Sequence, residues 1–127
     1  MRLLFLLLMV MFLGPQARAQ GGLDGRSFFI GLFEGEVLTE TDTLFFQNGQ
    51  LSFASARKYG FAPAAYRSKS KQNQITGSAL NRSKLNGTML WNFSVVADSI
   101  YGYAVFDNRV ENPVRYRFQG KQVVRKP

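Results

Sequence analysis

Few side chains in this 127-residue chain could perform chemistry. The sequence contains no histidine and no cysteine, which excludes nucleophilic triads, thiol chemistry and the usual zinc and copper sites. Carboxylates remain, and Glu34 and Glu36 are spaced to share one face of a predicted strand. Paired catalytic carboxylates need contrasting environments, so solvated surface charge is the simpler interpretation. We therefore expect no enzyme activity, no metal and no cofactor.

Aromatic residues are the second group with a functional interpretation. The chain has twelve Phe, five Tyr and one Trp. They either fill a core, the favoured interpretation, or line a cavity for an apolar ligand. The candidate ligand-binding residues are Trp91, Phe93, Phe106, Tyr116 and Phe118, with Tyr59, Phe61 and Tyr66 on a loop above the cavity.

Positive charge is concentrated in one part of the sequence. The net charge is +8, and residues 57–84 contain Lys and Arg but no Asp or Glu. A solubilising surface is the simpler interpretation, and contact with an anionic envelope component is the functional one. No recognised RNA-binding motif is present, so nucleic acid is not expected. The basic-surface candidates are Arg57, Lys58, Arg67, Lys69 and Lys71.

The N-terminus predicts export. Arg2 precedes an apolar run of eleven residues, 3–13, that is too short to span a bilayer, and a small-x-small signal ends at Ala19. Residues 1–19 are therefore expected to be a cleaved signal peptide. Residues 20–127 would form a single domain, a monomer in the periplasm or the medium of a bacterium.

The strongest structural pattern covers residues 87–118. Period-two alternation predicts three consecutive strands at 87–96, 100–107 and 113–120. A loop at Asp98-Ser99 would set Val95 opposite Gly102, Phe93 opposite Ala104 and Trp91 opposite Phe106. A loop one residue longer would exchange the faces of the middle strand. We favour the first register because large side chains then face small ones.

The rest of the chain predicts five further strands, at 26–37, 42–47, 50–55, 64–70 and 73–80. Asn48-Gly49 suits a type I′ hairpin that pairs Phe46 with Leu51 and Leu44 with Phe53. Residues 39–41 are expected to be a polar connection, and 64–70 and 73–80 a lysine-bearing edge. Eight strands with mostly short connections predict an all-β, antiparallel up-and-down barrel. A β-sandwich is the alternative.

A set of short segments resembles a family of small exported bacterial proteins of uncharacterised function. The resemblance covers nearly all of residues 20–127 and implies a calycin-like (lipocalin-like) barrel without a known activity. The segments are Leu23-Asp24-Gly25, Asp42-Thr43-Leu44-Phe45-Phe46 with Asn48-Gly49, Lys58-Tyr59-Gly60-Phe61 with Ala64-Ala65-Tyr66, Gly87-Thr88-Met89-Leu90-Trp91, and Ile100-x-Gly102.

Two functions follow as expectations. The first is non-catalytic binding of a small apolar or amphipathic molecule inside the barrel, with Arg115, Arg117 or the basic loop meeting its acidic head. The alternative is a protein-interaction module of the cell envelope, such as an enzyme inhibitor. It would act through the loop of residues 57–66.

Overall fold

The computed structural model describes residues 22–124, so the predicted signal peptide and residues 125–127 lie outside the described part. Eight antiparallel strands follow one another around a closed barrel, which confirms the all-β, up-and-down prediction. The strands are β1 (Ser27–Glu34), β2 (Val37–Gln47), β3 (Gln50–Phe53), β4 (Ala64–Lys71), β5 (Gln74–Ser83), β6 (Gly87–Val96), β7 (Ser99–Asp107) and β8 (Val114–Gln122). No helix within residues 22–124 has the length and hydrophobicity needed to cross a bilayer.

The β2–β3 hairpin has the predicted register. Asn48 and Gly49 have positive φ angles of 55° and 74°, which this two-residue turn requires. Phe46 pairs with Leu51, and Leu44 pairs with Phe53. All four of these apolar side chains are buried. The hairpin therefore fixes which face of β2 and β3 points into the barrel.

The β6–β7 hairpin keeps the predicted faces but not the predicted pairing. Its loop is Ala97-Asp98, one residue earlier than expected, and Ala97 has a positive φ of 53°. Phe93 therefore pairs with Gly102, and Trp91 pairs with Ala104. The predicted partners were wrong by two residues. A shift of two leaves every side chain on its original face because the strand period is two.

The β1–β2 connection differs from the prediction. β2 begins at Val37, so the expected polar connection at 39–41 is part of a strand. The turn lies at Gly35-Glu36, and the register shifts between Leu32 and Phe33. Glu34 ends β1 while Glu36 lies in the turn, so the two carboxylates do not share a strand face.

Closure of the barrel pairs β1 with β8, from Phe28 opposite Gln122 to Phe33 opposite Arg117. β8 therefore extends past the predicted end at residue 120. β5 pairs on both sides, so the predicted edge is wrong for this strand. β4 meets β3 through only two residue pairs. Within the described residues, 67–71 therefore have a partner strand on one side only.

Two glycines allow the strands on either side of β6 to pack closely around Phe93. Gly77 and Gly102 flank Phe93 on the neighbouring strands. A Cβ atom at Gly102 would lie 1.9 Å from the carbonyl oxygen of Asn92, and one at Gly77 would lie 2.6 Å from the ring of Phe93. Neither position has room for a side chain, because backbone or ring atoms already occupy the space.

A short segment, residues 22–26, closes one end of the barrel, which we call the N-terminal end. Leu23 is buried in the core. Asp24 accepts hydrogen bonds from the Tyr66 hydroxyl at 2.6 Å and from the Gly49 N–H at 3.0 Å. The Arg26 guanidinium donates to the Ala97 carbonyl and to the Gln122 side chain. The segment is therefore attached to four different parts of the barrel: the β2–β3 turn, β4, the β6–β7 loop and β8.

Candidate binding cavity and outer groove

The opposite end, which we call the loop end, is covered by residues 54–63 between β3 and β4. Polar side chains hold this loop in place. Ser83 Oγ and Asn86 Nδ2 donate to the Tyr59 carbonyl at 2.8 and 2.7 Å. Asn81 Nδ2 donates to the Ala62 carbonyl at 2.9 Å. The loop is thus fixed by residues that surround the β5–β6 turn.

A cavity of about 190 Å³ lies beneath this loop, and we call it the end cavity. Its wall combines six apolar side chains with five polar ones. Its lining residues are Leu32, Phe53, Phe61, Met89, Trp91 and Phe106, with the polar Glu40, Asp42, Ser55, Tyr59 and Tyr116.

Asp42 is the most buried charged group of the cavity wall, at 8% exposure. One carboxylate oxygen accepts the N–H groups of Thr43 at 2.8 Å and of Ser55 at 3.2 Å, and the other accepts the Ser55 hydroxyl. A carboxylate offers about four acceptor positions, so one remains. No Lys or Arg within residues 22–124 forms an ion pair with Asp42.

The mouth of the end cavity is also acidic. Glu40 lies on β2 two residues before Asp42 and is exposed to solvent. Burial raises the pKa of the Tyr116 phenol, and the negative charges of Glu34 and Glu40 raise it further. The neutral phenol is therefore favoured, and the electrostatic environment of the mouth is one that attracts a cation.

Trp91 forms part of the cavity wall and is the only tryptophan in the chain. The rings of Phe53 and Phe118 hold its indole, each with a centroid 5.4 Å away. Its Nε1–H is buried and has no acceptor among the described residues. An unsatisfied buried donor costs about 1–3 kcal/mol.

The structure divides the predicted ligand-binding residues between different parts of the barrel. Tyr66 was predicted to share a loop with Tyr59 and Phe61, but it lies on β4 and faces the N-terminal end. β4 begins at residue 64 and runs away from the loop end, which explains the separation. Trp91, Phe106, Tyr116, Tyr59 and Phe61 line the end cavity, Phe118 packs behind Trp91, and Phe93 and Tyr66 join the core at the N-terminal end.

The part of the core at the N-terminal end is filled by aromatic rings. Phe46 packs edge to face against Phe28, Tyr66 and Phe93, with ring centroids 5.9, 5.1 and 5.2 Å apart. Burial raises the pKa of the Tyr66 phenol, and the hydrogen bond to Asp24 and the charge of Asp24 add to this rise. These rings pack against one another and fill the interior at the N-terminal end.

The predicted basic surface is also divided. Arg57 and Lys58 lie on the loop of residues 54–63, whereas Arg67, Lys69 and Lys71 lie on β4. All five are exposed.

Two further arginines point away from the interior. Arg115 stacks over the Tyr103 ring at 3.9 Å, and Arg117 lies over the Phe33 ring at 4.5 Å. Both therefore lie on the outer surface. The prediction that they meet the acidic head of a ligand inside the barrel is wrong.

A wide groove of about 900 Å³ crosses the outer face of β4 to β8, and we call it the outer groove. The backbone around Gly77 and Gly102 contributes to its floor. Its lining residues are Arg67, Ser68, Lys69, Thr76, Gly77, Ser78, Asn92, Phe93, Ser94, Tyr101, Gly102, Tyr103, Arg117, Phe118 and Gln119.

The sequence interpretation overlooked the carboxylates of the end cavity, although a signal was present. The Asn48-Gly49 hairpin fixes Phe46 and Leu44 as inward-facing. The same period places Asp42 and Glu40 on the inward side as well. A charged residue at an inward position of a barrel strand indicates a site or a buried polar network. Residues 22–124 contain no group of His, Cys, Asp or Glu that could hold a metal ion.

Comparison of the chain with known protein families, curated proteins and solved structures finds no significant match. The resemblance to exported calycin-like proteins therefore stays a prediction, beyond the eight-stranded antiparallel barrel itself.

Proposed function

We propose that this protein binds a small organic cation with an apolar body in the end cavity, without catalysing a reaction. We further propose that it does so after export, in the periplasm or outside a bacterial cell. The observation that carries the proposal is Asp42, a nearly buried carboxylate in an aromatic wall with no cationic partner among residues 22–124. Buried charges are stabilised by pairing, and a cationic ligand would provide the pair.

The volume of the end cavity limits the size of the ligand. At about 190 Å³, it is smaller than the roughly 300–1,000 Å³ typical of pockets for drug-sized molecules. Much of the barrel interior is occupied by the aromatic core at the N-terminal end. A ligand with one ring or a short branched chain fits this space better than a lipid.

The composition of the wall supports a cation. Aromatic faces attract ammonium groups through their quadrupoles, most strongly when water is excluded. Phe61, Trp91 and Phe106 supply such faces, and Asp42 and Glu40 supply negative charge on one side. The expected ligand is therefore an amine or alkylammonium compound rather than an acid.

A protein-interaction role for the 57–66 loop has less support. Phe61 is buried and Tyr66 lies toward the other end of the barrel, so the surface is smaller than the sequence suggested. Arg57, Lys58 and Tyr59 remain exposed there, with Tyr59 at 42% exposure. Because the cavity offers a specific combination of shape and charge, we propose ligand binding.

Trp91 provides the test, since the emission of a single tryptophan reports directly on the cavity. The mature protein is titrated with benzylamine and with benzoate, which share a ring but carry opposite charges. We expect saturable quenching or a spectral shift with benzylamine, and at least about tenfold weaker binding of benzoate, a difference of about 1.4 kcal/mol. Equal or tighter binding of benzoate would refute the proposal, as would the absence of any response to the amine.

Variants assign the signal to the cavity. Met89→Phe fills the space and should abolish benzylamine binding while the far-ultraviolet circular dichroism spectrum stays unchanged. Glu40→Gln removes a charge at the mouth and should weaken binding severalfold. Asp98→Asn is the matched control because it removes one exposed charge at the N-terminal end. If Asp98→Asn weakens binding as much as Glu40→Gln, the effect is one of net charge and the site assignment fails.

A further inference from the structure

The outer groove forms a second surface that the end cavity does not explain. We propose that it binds an anionic polysaccharide, a sugar polymer that carries carboxylate or sulfate groups. The groove extends over five strands, whereas the end cavity lies inside the barrel at the loop end. The two sites share no charged lining residue, and their ligands have opposite charges.

Charge is the first support for this inference. Arg67 and Lys69 on β4 and Arg117 on β8 line the groove, and no Asp or Glu lines it. None of the three forms an ion pair within residues 22–124. A groove of one charge sign raises the local concentration of ligands of the opposite sign. The barrel brings together cations from strands that are far apart in sequence.

The second support is the neutral polar floor between these cations. Side chains with hydroxyl or amide groups donate and accept hydrogen bonds, which suits the many hydroxyl groups of a sugar chain. The residues are Thr76, Ser78, Asn92, Ser94 and Gln119. Their spread over three strands matches an extended ligand better than a single phosphate or carboxylate.

Two tyrosines give the groove an apolar surface. Tyr101 and Tyr103 are each 46% exposed. Gln74 Nε2 donates to the Tyr101 hydroxyl at 3.3 Å, and the Arg115 guanidinium stacks on Tyr103 at 3.9 Å. Both rings therefore have a contact that orients them. The apolar face of a sugar ring can pack against such a side chain while its hydroxyl groups reach the floor.

The same features argue against a nucleic acid as the ligand. Proteins that bind single strands stack successive bases on free aromatic faces. Of the two exposed tyrosine rings in the outer groove, Tyr103 has the Arg115 guanidinium over one face, which leaves fewer free faces than a run of stacked bases requires.

The test uses three polymers with the whole mature protein. Dextran sulfate is the anionic polysaccharide, uncharged dextran is its neutral counterpart, and a single-stranded oligonucleotide is the competing polyanion. We expect salt-sensitive binding of dextran sulfate, at least about tenfold tighter than of the oligonucleotide, which corresponds to about 1.4 kcal/mol. Equal binding of the oligonucleotide would overturn the inference. Equal binding of uncharged dextran would do the same.

A charge-matched pair of variants localises the binding. The groove variant replaces Arg67, Lys69 and Arg117 by alanine and should lose most of the affinity for dextran sulfate. Tyr101→Ala should weaken binding without changing its salt dependence, since it removes no charge.

The control variant replaces Arg57, Lys58 and Lys84 by alanine, and so removes the same charge from the loop end. It should retain binding within about threefold, because general attraction by net charge is weak at physiological salt. If both triple variants lose affinity equally, binding reflects net charge alone and the groove assignment is wrong. Met89→Phe, which fills the end cavity, should leave polysaccharide binding unchanged.

Discussion

Aromatic residues are buried at both ends of the barrel, but they fill the interior at one end and leave a cavity at the other. At the N-terminal end, Phe46 lies among three other aromatic rings, and Leu23 completes the core. At the loop end, Trp91 and its aromatic neighbours leave a cavity of about 190 Å³. Aromatic content therefore does not determine whether a small barrel is filled.

The closing element makes the difference. The segment of residues 22–26 inserts an apolar side chain into its end of the barrel. The loop of residues 54–63 also buries Ala56 and Phe61, but it is held in place by hydrogen bonds to its backbone and leaves the end cavity beneath it. The inward position of Asp42 adds to the effect, because a carboxylate cannot be covered by apolar side chains without a large penalty. The N-terminal end is therefore filled, whereas the loop end keeps a cavity bordered by charged residues.

The largest effect on the free energy of unfolding is expected when one aromatic ring is removed from each end of the barrel in turn. Phe46→Ala should lower the free energy of unfolding by about 3–5 kcal/mol, the usual range for a fully buried phenylalanine. Phe106→Ala should cost clearly less, because Phe106 is partly exposed and already borders the cavity. Urea unfolding of both variants measures the difference. Equal losses would mean that the loop end is packed as tightly as the N-terminal end.

The reverse experiment adds volume at each end. Val95→Phe at the N-terminal end should destabilise the protein by about 1–3 kcal/mol, since overpacking forces neighbouring side chains to move. Met89→Phe should cost less than about 1.5 kcal/mol because the end cavity can accept the ring. Thermal unfolding compares the two. A larger loss for Met89→Phe would show that the cavity is not accessible to a side chain.

Alkaline pH should weaken the N-terminal end through Tyr66. Its folded pKa is raised, so its contribution to stability is complete below the unfolded value of about 10 and is lost as the pH rises toward the folded value. Tyr66→Phe should therefore show a smaller loss of stability above pH ~10 than the parent protein.

The same substitution removes the hydrogen bond to Asp24, at a cost of about 0.5–1.5 kcal/mol near neutral pH. Tyr116→Phe is the counterpart at the loop end, where the pKa is raised without a hydrogen bond to a carboxylate. Chemical denaturation as a function of pH measures all three proteins. If the free energy of unfolding changes with pH in the same way for Tyr66→Phe and for the parent protein, the Tyr66 phenol does not cause the loss of stability at alkaline pH.

The smallest effect concerns the surface of the N-terminal end. Lys121 and Asp98 form an exposed ion pair with an N–O distance of 3.5 Å. Lys121→Ala should change stability by less than about 1 kcal/mol, and the change should shrink further in high salt. A larger effect would mean that surface charge, rather than buried packing, holds this end together.

The sequence was informative wherever local chemistry determines structure. Asn48-Gly49 gave the correct hairpin register because the turn type leaves little choice. The alternation around Trp91 gave the correct inward face of β6. The register of β6 with β7 was wrong because Ala97, with no special turn chemistry, takes the positive φ.

The sites were harder to predict because they depend on how far each strand is shifted along the barrel relative to its neighbours. Period-two alternation says which face a side chain is on, but not at which end of the interior it lies. Tyr66 was therefore assigned to the wrong end. Arg67 and Arg117 are fifty positions apart in the sequence, and they line one groove only because the strands between them present their outer faces side by side.

The short contact between β3 and β4 has a consequence for motion. These strands share two residue pairs, whereas β5 and β6 share ten. Local opening should begin where the fewest hydrogen bonds must break, so this seam should separate before any other. Amide hydrogens at the β3–β4 pairs, residues 50–51 and 64–65, should exchange with solvent deuterium sooner than those between β5 and β6. Because β3 leads into the loop above the end cavity, such opening would also admit a ligand while the rest of the barrel stays folded.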